Sequence, residues 1–288
     1  MKSMNKISLP GRLFDTINVL FLLLLVLTMV IPFINTLALA FSSNFASMQP
    51  GIILWPKEFS LEGFSTVWNR MKLYLPFTNN VIVTVVGTLG HVFLSSMAGY
   101  VLIQKGLPGK KWMLSAILLT MMIPSEAIMI PLYIVNQDLG LLNTLSSLIL
   151  SGFVSGFSVV LMRNFFLSVP YEMSESARID GAGDLRIFFT MYLPLASAGL
   201  ATVTLFEFVS RWNQFTPAVL YINDSSKYTL QIALKSLIVD TDSTSSNFMI
   251  TTNVRMAGIV IALLPLIIIY PYVQKYFVKG MFVGANKE

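Results

Sequence analysis

The residues able to do chemistry fall into two sets: a few ionisable and amide side chains set in apolar sequence, and one short segment dense in charge. In the first set, Glu207 and Arg211 stand four apart, so on a helix they share a face and can neutralise one another. Pairing for structure is the first reading of them. Glu126 lies between Pro124 and Pro131, which free backbone carbonyls and predict a broken helix. Its carboxylate suits a substrate path and the satisfaction of that broken backbone equally well. Trp212, Asn213, Gln214 and Phe215 combine aromatic faces with amide donors and acceptors, a chemistry suited to sugar rings and hydroxyls. A Trp at the end of a membrane span is equally an interfacial anchor. Asn79, Asn80 and His91 carry the same double reading, and a lone His reads first as a packing residue. The candidate substrate-path residues are therefore Asn79, Asn80, Glu126, Glu207, Trp212 and Asn213. Gly152 and Gly156 form a GxxxG, and Ser95 and Gly99 a small-xxx-small pair; both predict helix contacts.

The second set lies in residues 163–186, where Arg163, Glu172, Glu175, Arg178, Asp180, Asp184 and Arg186 stand in an otherwise charge-poor chain. Pro170 suits the first turn of a helix, and Glu172 and Glu175 favour its positive end. Gly181-Ala182-Gly183 can end that helix and Asp184 can open another. Ser174, Ala177 and Gly181 share a face at spacings of three and four, which predicts close approach by a partner, and Glu175 is placed to pair with Arg178. A short charged helix of this kind reads as a lever or docking knob, or as an ordinary solvated loop helix.

Much other chemistry is excluded. The chain has no Cys and one His, which rules out disulfides, thiolate clusters and multi-His metal sites. An intramembrane enzyme would need a nucleophile–base or metal constellation, and no such motif is present. The one Walker-like fragment, Pro108-Gly109-Lys110-Lys111, lacks the Ser or Thr after Lys and has Gln104 in place of the first Gly, so no nucleotide cofactor is expected on this chain. A secondary transporter would show repeated halves with matching broken helices, and the proline-bracketed break near Glu126 has no convincing mate.

The elements that must position these residues are membrane helices. Of 288 residues, 55% are hydrophobic and 11% charged, against roughly a quarter charged in an average soluble domain. Mean hydropathy is +0.72. Stretches 16–56, 73–104, 139–162, 187–206 and 256–274 lack Asp, Glu, Lys and Arg, and each approaches or exceeds the roughly 20 residues of a spanning helix. Adding the stretch around Glu126 gives six spans, at about 17–41, 77–104, 112–135, 143–165, 194–220 and 256–278, in one membrane domain over 1–288. Lys2, Lys6 and Arg12 precede an apolar run ending at Ala38-Leu39-Ala40, which resembles a cleavage site. That run is too long and bulky for a signal peptide, so an uncleaved anchor is expected. With the N-terminus inside, twelve of the 19 basic residues fall on the cytoplasmic side, which predicts both termini in the cytoplasm. The basic residues are scattered, so the net charge of +5 reads as loop bias and nucleic acid is not an expected partner. The outer segment 42–76, with Pro50-Gly51, Trp55-Pro56 and Trp68, predicts an ordered surface loop. In 221–255, Leu230, Leu234, Leu237 and Ile238 recur at helical spacing before the polar run 240–247, which reads as a docking element or as a cap on the bundle.

Glu175-Ser176-Ala177, Gly181 and Leu193-Pro194 together resemble the EAA loop of binding-protein-dependent ABC importer permeases, with Ser176 and Met191 at two positions where the pattern has Ala and Ile. Asp180-Gly181-Ala182, Trp212-Asn213, Lys227-Tyr228-Thr229-Leu230 and Tyr276-Phe277-Val278-Lys279-Gly280 are similar to the carbohydrate branch, including the maltose-type second permease and the lipoprotein-associated polysaccharide permeases. The resemblance implies an all-α integral membrane protein of the cell membrane, with the six-helix architecture of type I ABC importer permeases and a cytoplasmic coupling loop over 166–193. It implies a second homologous permease, two ATPase subunits that bind ATP and Mg, an extracytoplasmic solute-binding protein, a saccharide substrate and surrounding lipid. It also implies an ATPase-coupling role for Glu172, Ser174, Glu175, Ala177, Arg178, Asp180 and Gly181, and alternating access driven by the partner ATPases. No run of intramembrane Arg or Lys awaits a strong anion, so a neutral or weakly charged oligosaccharide is the expected solute. An acidic glycan stays open because the second permease can supply basic groups. A secondary transporter, or a permease for a non-sugar solute, is the alternative.

Overall fold

The computed structural model describes residues 9–239 and 250–285, with side chains over 13–238 and 250–272. Among the described residues the secondary structure is helical, apart from an isolated bridge between Ser42 and Phe59. In chain order the principal helices are α1 (Leu9–Ala40), α2 (Tyr74–Val101), α3 (Lys110–Met122), α4 (Ser125–Asp138), α5 (Leu145–Leu150), α6 (Gly156–Leu167) and α7 (Tyr171–Ile179). They continue as α8 (Asp184–Leu195), α9 (Ser197–Trp212), α10 (Thr216–Tyr221), α11 (Leu230–Val239) and α12 (Thr252–Ala285). Stretches Leu13–Ala40, Tyr74–Val101 and Thr252–Tyr272 are long and apolar enough to cross a membrane alone, and two bent pairs, α3–α4 and α8–α9, qualify together.

Breaks occur where the sequence removes a helical hydrogen bond or demands a special backbone. Ile123 and Pro124 are both extended, because a residue before proline avoids the helical region and proline brings no N–H. Helices α3 and α4 consequently meet at 101°. The apolar stretch 143–165, expected as one span, is two helices: α5 ends at Ser151, Gly152 takes a left-handed φ of +70°, and Ser155 caps α6 by accepting the Ser158 N–H at 3.2 Å. The expected span 194–220 is also interrupted, since α9 stops at Trp212 and the chain resumes as α10 at Thr216. Residues 188–192 form a wide, π-type turn within α8, and Ala196 bends α8 from α9 by 81°.

The chain forms two compact units, Met1–Lys72 with Leu237–Ile261, and Leu73–Ser236 with Ala262–Glu288. In the first, the apolar side chains of α1 from Leu13 to Phe33 are largely exposed, and Ala38, Leu39 and Ile53 form a small core against Met256. The 42–72 segment is held as an ordered loop, as expected. Asn35 Oδ1 accepts the Ile53 N–H at 2.9 Å, and Asn253 Nδ2 donates to the Ser42 carbonyl at 3.1 Å.

In the second unit α2 is the central rod, 28 residues long, or about 42 Å at the helical rise. Its buried face carries Asn80, Val83, Thr84, Gly87, Thr88, His91, Ser95 and Gly99, small or polar residues that let neighbouring backbones come close. A Cβ on Gly99 would stand 2.9 Å from the Arg163 amide nitrogen, and one on Gly156 would stand 3.0 Å from the Ile117 carbonyl. Gly99 and Gly156 therefore mark helix contacts as expected, whereas Gly152 serves the break before α6. Near the Val101 end, Tyr100, Phe166, Phe188 and Tyr192 stack into a core with ring centroids 5.0–6.4 Å apart. This core forms the floor beneath α7.

Candidate functional site

Helix α7 arises from the residues that predicted it: Pro170 stands at its N-cap, Glu172 lies in its first turn and Arg178 in its last. It ends in a paired closure, with the Gly181 N–H donating to the Arg178 carbonyl at 3.0 Å and the Ala182 N–H to the Ala177 carbonyl at 2.9 Å. Gly181 has a φ of +84°, and a Cβ there would meet nothing within 4 Å. Within this chain glycine is therefore required by backbone conformation.

Of the expected small-residue face, Ser174 and Ala177 are turned inward, contrary to the expectation, and Gly181 is left exposed. Ser174 is buried and Ala177 packs on the aromatic core, so these two seat α7 on its own chain. The outward face carries Glu172, Met173, Glu175, Ser176, Ile179 and Asp180. Ile179 is 86% exposed and Leu185 65% exposed. The expected Glu175–Arg178 pair also does not form. Arg178 donates to Asp184 Oδ1 at 2.8 Å, Gln104 Oε1 at 2.7 Å and Tyr171 Oη at 3.0 Å. Glu175 instead faces Lys105 Nζ at 3.5 Å, and that ammonium sits 3.5 Å from the Tyr171 ring centroid. The bond to Asp184 is the main influence holding the Arg178 guanidinium above its ordinary value, so it stays a cation. Arg178 thus ties α7 at once to the end of α2 and the start of α8. Gln104, Lys105 and Tyr171 belong to this assembly and were not singled out in the sequence, because their roles rest on contacts across distant positions. Ile179 had a readable signal, an isolated branched apolar residue between Arg178 and Asp180.

The polar residues of the bundle separate into occupied and outward-facing groups. Glu207 and Arg211 pair as their spacing predicts, with Arg211 Nε donating to Glu207 Oε1 at 2.6 Å. Arg211 is only 3% exposed, and its remaining donors reach the carbonyls of Leu148, Ile149, Ser151 and Gly152 at 3.0–3.3 Å. His91 is a packing residue: Nδ1 lies 2.8 Å from the Gly152 carbonyl and Nε2 lies 2.8 Å from Ser158 Oγ. Trp212 is buried, donating from Nε1 to the Ala262 carbonyl at 3.0 Å, with Phe208 stacked on it at 6.0 Å and Phe77 edge-on at 5.8 Å. Its ring faces are thus taken up inside the chain. Asn80 is also buried and donates to the Trp212 carbonyl at 3.3 Å. Asn79 donates to the carbonyls of Ser226 and Tyr228, tying down the 222–229 loop. Glu126 and Asn213 remain at exposed positions, in the first turn of α4 and just after α9, where a solute can reach them. The structure thus brings Glu207, Trp212 and Asn80 into one packed interior and leaves Glu126 and Asn213 apart from it.

Apolar helices long enough, singly or as bent pairs, to cross a membrane, with a charged helix braced on one end of the central rod, are the arrangement expected of an integral membrane permease. Residues 91–283 match the family described as binding-protein-dependent transport system inner membrane component. The chain belongs to this family. It is similar to the polygalacturonan/rhamnogalacturonan transport system permease protein YtcP of Bacillus subtilis (strain 168), with 34% identity over 287 residues, 97% of this chain and 100% of the relative. It is similar also to the arabinooligosaccharides transport system permease protein AraQ of Halalkalibacterium halodurans, 30% identical over 261 residues, 90% of this chain and 91% of the relative. Among solved structures it resembles a chain of a bacterial ABC transporter involved in the import of the acidic polysaccharide alginate. That match has a TM-score of 0.87 at 30% identity and covers 94% of this chain and 98% of the other. The fold is the all-α, multi-pass fold of ABC importer permeases, and a permease of this family is a transport subunit and not an enzyme.

Proposed function

We propose that this chain is one permease subunit of an ATP-driven importer that moves an oligosaccharide into the cytoplasm by alternating access. The observation that carries the reading is α7: a charged helix clamped by Arg178 to two other helices, with Ile179 and Leu185 uncovered beside it. These two apolar side chains stand among charged ones on the segment whose resemblance implies an ATPase contact, which supports reading them as part of that contact. An ATPase subunit seated there would drive α8 and α9 through the same clamp. ATP and Mg²⁺ would be held by two such subunits, beside a second permease and an extracytoplasmic solute-binding protein. Both termini and α7 would lie in the cytoplasm, in line with the lysine and arginine bias.

The saccharide assignment draws on the named relatives, which include carriers of acidic and of uncharged glycans. In this chain Arg211 has no donor left for a substrate carboxylate, because Glu207 and four carbonyls take all five of its N–H groups. Arg211 would therefore not serve as the cation for an acidic glycan. Purification through a tag on this chain tests the assembly, and reconstitution of the product with labelled saccharides, amino acids and phosphate tests the solute. Co-purification of a homologous membrane chain and an ATPase, followed by ATP-dependent saccharide accumulation, is expected. Accumulation of amino acids or phosphate with no response to any saccharide would overturn the solute class. Purification as a lone chain that transports on an ion gradient would overturn the importer reading.

A further inference from the structure

Arg211 reaches from the last turn of α9 to a piece of chain some 60 positions earlier (|i−j| 59–63) and grips it by four carbonyl oxygens. That piece, 148–152, is the last turn of α5 and the start of the unwound link that leads to α6. Carbonyls freed by a helix break inside a membrane must find donors, and serine hydroxyls or trapped water would be enough to supply them. Here the donor is a fork borne by a different helix, with Glu207 Oε1 neutralising it from one turn before and His91 of α2 adding a contact to the Gly152 carbonyl. Gly87 of α2 makes the room: a Cβ there would collide with the guanidinium. Helix α9 follows α8 across a single bend at Ala196, and α8 is joined to α7 through Asp184 and Arg178.

We propose that Arg211 is a positioning residue of the transport cycle, fastening the broken end of α5, residues 148–152, to α9 so that a displacement received at α7 carries that turn with it. This rests on the importer reading above, because the displacement is the one an ATPase subunit would impose. Without the grip, α9 would move past a turn that stays behind, and ATP hydrolysis would proceed without productive rearrangement in the bundle interior. The latch acts through geometry and touches no solute.

The test uses the assembled importer in lipid nanodiscs for distances and in vesicles for transport. The chain has no cysteine, so nitroxide labels on Val154→Cys and Val209→Cys, both at exposed positions, report the distance between the turn region and α9. With Arg211 in place that distance is expected to be the same without nucleotide and with ATP plus vanadate. Arg211→Lys keeps the charge but loses the fork, and Gly87→Ala keeps every hydrogen-bonding group but displaces the fork. In both, the distance should change between the two states, and saccharide moved per ATP hydrolysed should fall about tenfold, within the range set by residues that carry coupling. The proposal is overturned if the distance already changes with Arg211 in place, or if both variants couple normally. It is equally overturned if neither variant assembles, since the role would then be structural alone. Failure of the unsubstituted complex to move any saccharide would sink the importer reading instead, and the nucleotide-dependent distances would still decide whether the latch holds.

Discussion

Arg178 and Arg211 each join one helix to distant stretches of chain, and they do so in opposite surroundings. Arg178 is about a third exposed (35%) and bonds to three side chains, Asp184, Gln104 and Tyr171, at the surface end of the bundle. Arg211 is buried and bonds to one carboxylate and four backbone carbonyls. A side-chain clamp in water is easily remade and contributes little to stability, so its value lies in where it holds α7. A buried guanidinium with every donor occupied cannot be released without stranding a carboxylate and several carbonyls. The first arrangement suits a surface clamp that orients α7 at little cost in stability, and the second suits a joint that must not part.

The largest effect should come from breaking the buried joint. Arg211→Met leaves Glu207 without its cation and should cost about 3–5 kcal/mol, visible as a marked fall in the thermal unfolding temperature of the purified complex. A loss comparable to that of Arg178→Ala would erase the contrast. Gly181→Ala comes next. Its cost of about 1–2 kcal/mol arises from the left-handed backbone alone, since open space surrounds the new methyl. Fraying at the end of α7, read by amide exchange at Gly181 and Ala182, should accompany it.

Arg178→Ala should change stability by about 1 kcal/mol or less while reducing uptake strongly, because α7 loses its ties to α2 and α8 together. Equal residual uptake in Arg178→Ala and Arg178→Lys would show that the fork geometry matters, whereas full rescue by Lys would reduce the clamp to a charge. The smallest effect concerns Asp224, a partly exposed residue that pairs with Lys227 and bonds to neither arginine. Hydrogen bonds from the Ser226 hydroxyl and N–H, helped by Lys227, hold its carboxyl below the usual range. A lowered folded value means that its contribution is present at neutral pH and lost as the pH falls through the carboxylate range. Asp224→Asn should therefore flatten a slight acid-side decline in amide protection of the 222–229 loop and leave uptake at neutral pH unaltered.

The sequence made some of this comparison legible and hid the rest for physical reasons. Helix α7 was readable because its signals are local: Pro170 at the start, acids in the first turn, glycine at the left-handed close. Its facing was misread because Ser174 and Ala177 look the same whether they admit a partner or seat the helix on an aromatic core. The Glu207–Arg211 pair was readable from its spacing of four. Its carbonyl partners were not, since a backbone oxygen carries no sequence signature and those oxygens are exposed only because the span 143–165 breaks at Gly152. Trp212 and Asn80 were candidates for a solute because polar and aromatic groups in a membrane attract that reading, yet both turned out to be occupied by neighbours within the bundle. Leu230, Leu234 and Leu237 of α11 are buried and Ile238 is exposed, a pattern that a cap and a docking helix share. The polar run 240–247, on which a docking role also depends, lies outside the described residues.

The central claim is that α7 and its exposed apolar neighbours receive the work of an ATPase and that saccharide import follows from it. ATP-dependent accumulation of a labelled oligosaccharide in vesicles carrying the complete complex, with and without Ile179→Asp, tests this most directly. Accumulation that requires ATP and the solute-binding protein is expected, together with its loss and release of the ATPase subunits in the Ile179→Asp complex. Undiminished accumulation with the ATPase still bound in that variant, or accumulation driven by an ion gradient without ATP, would contradict it.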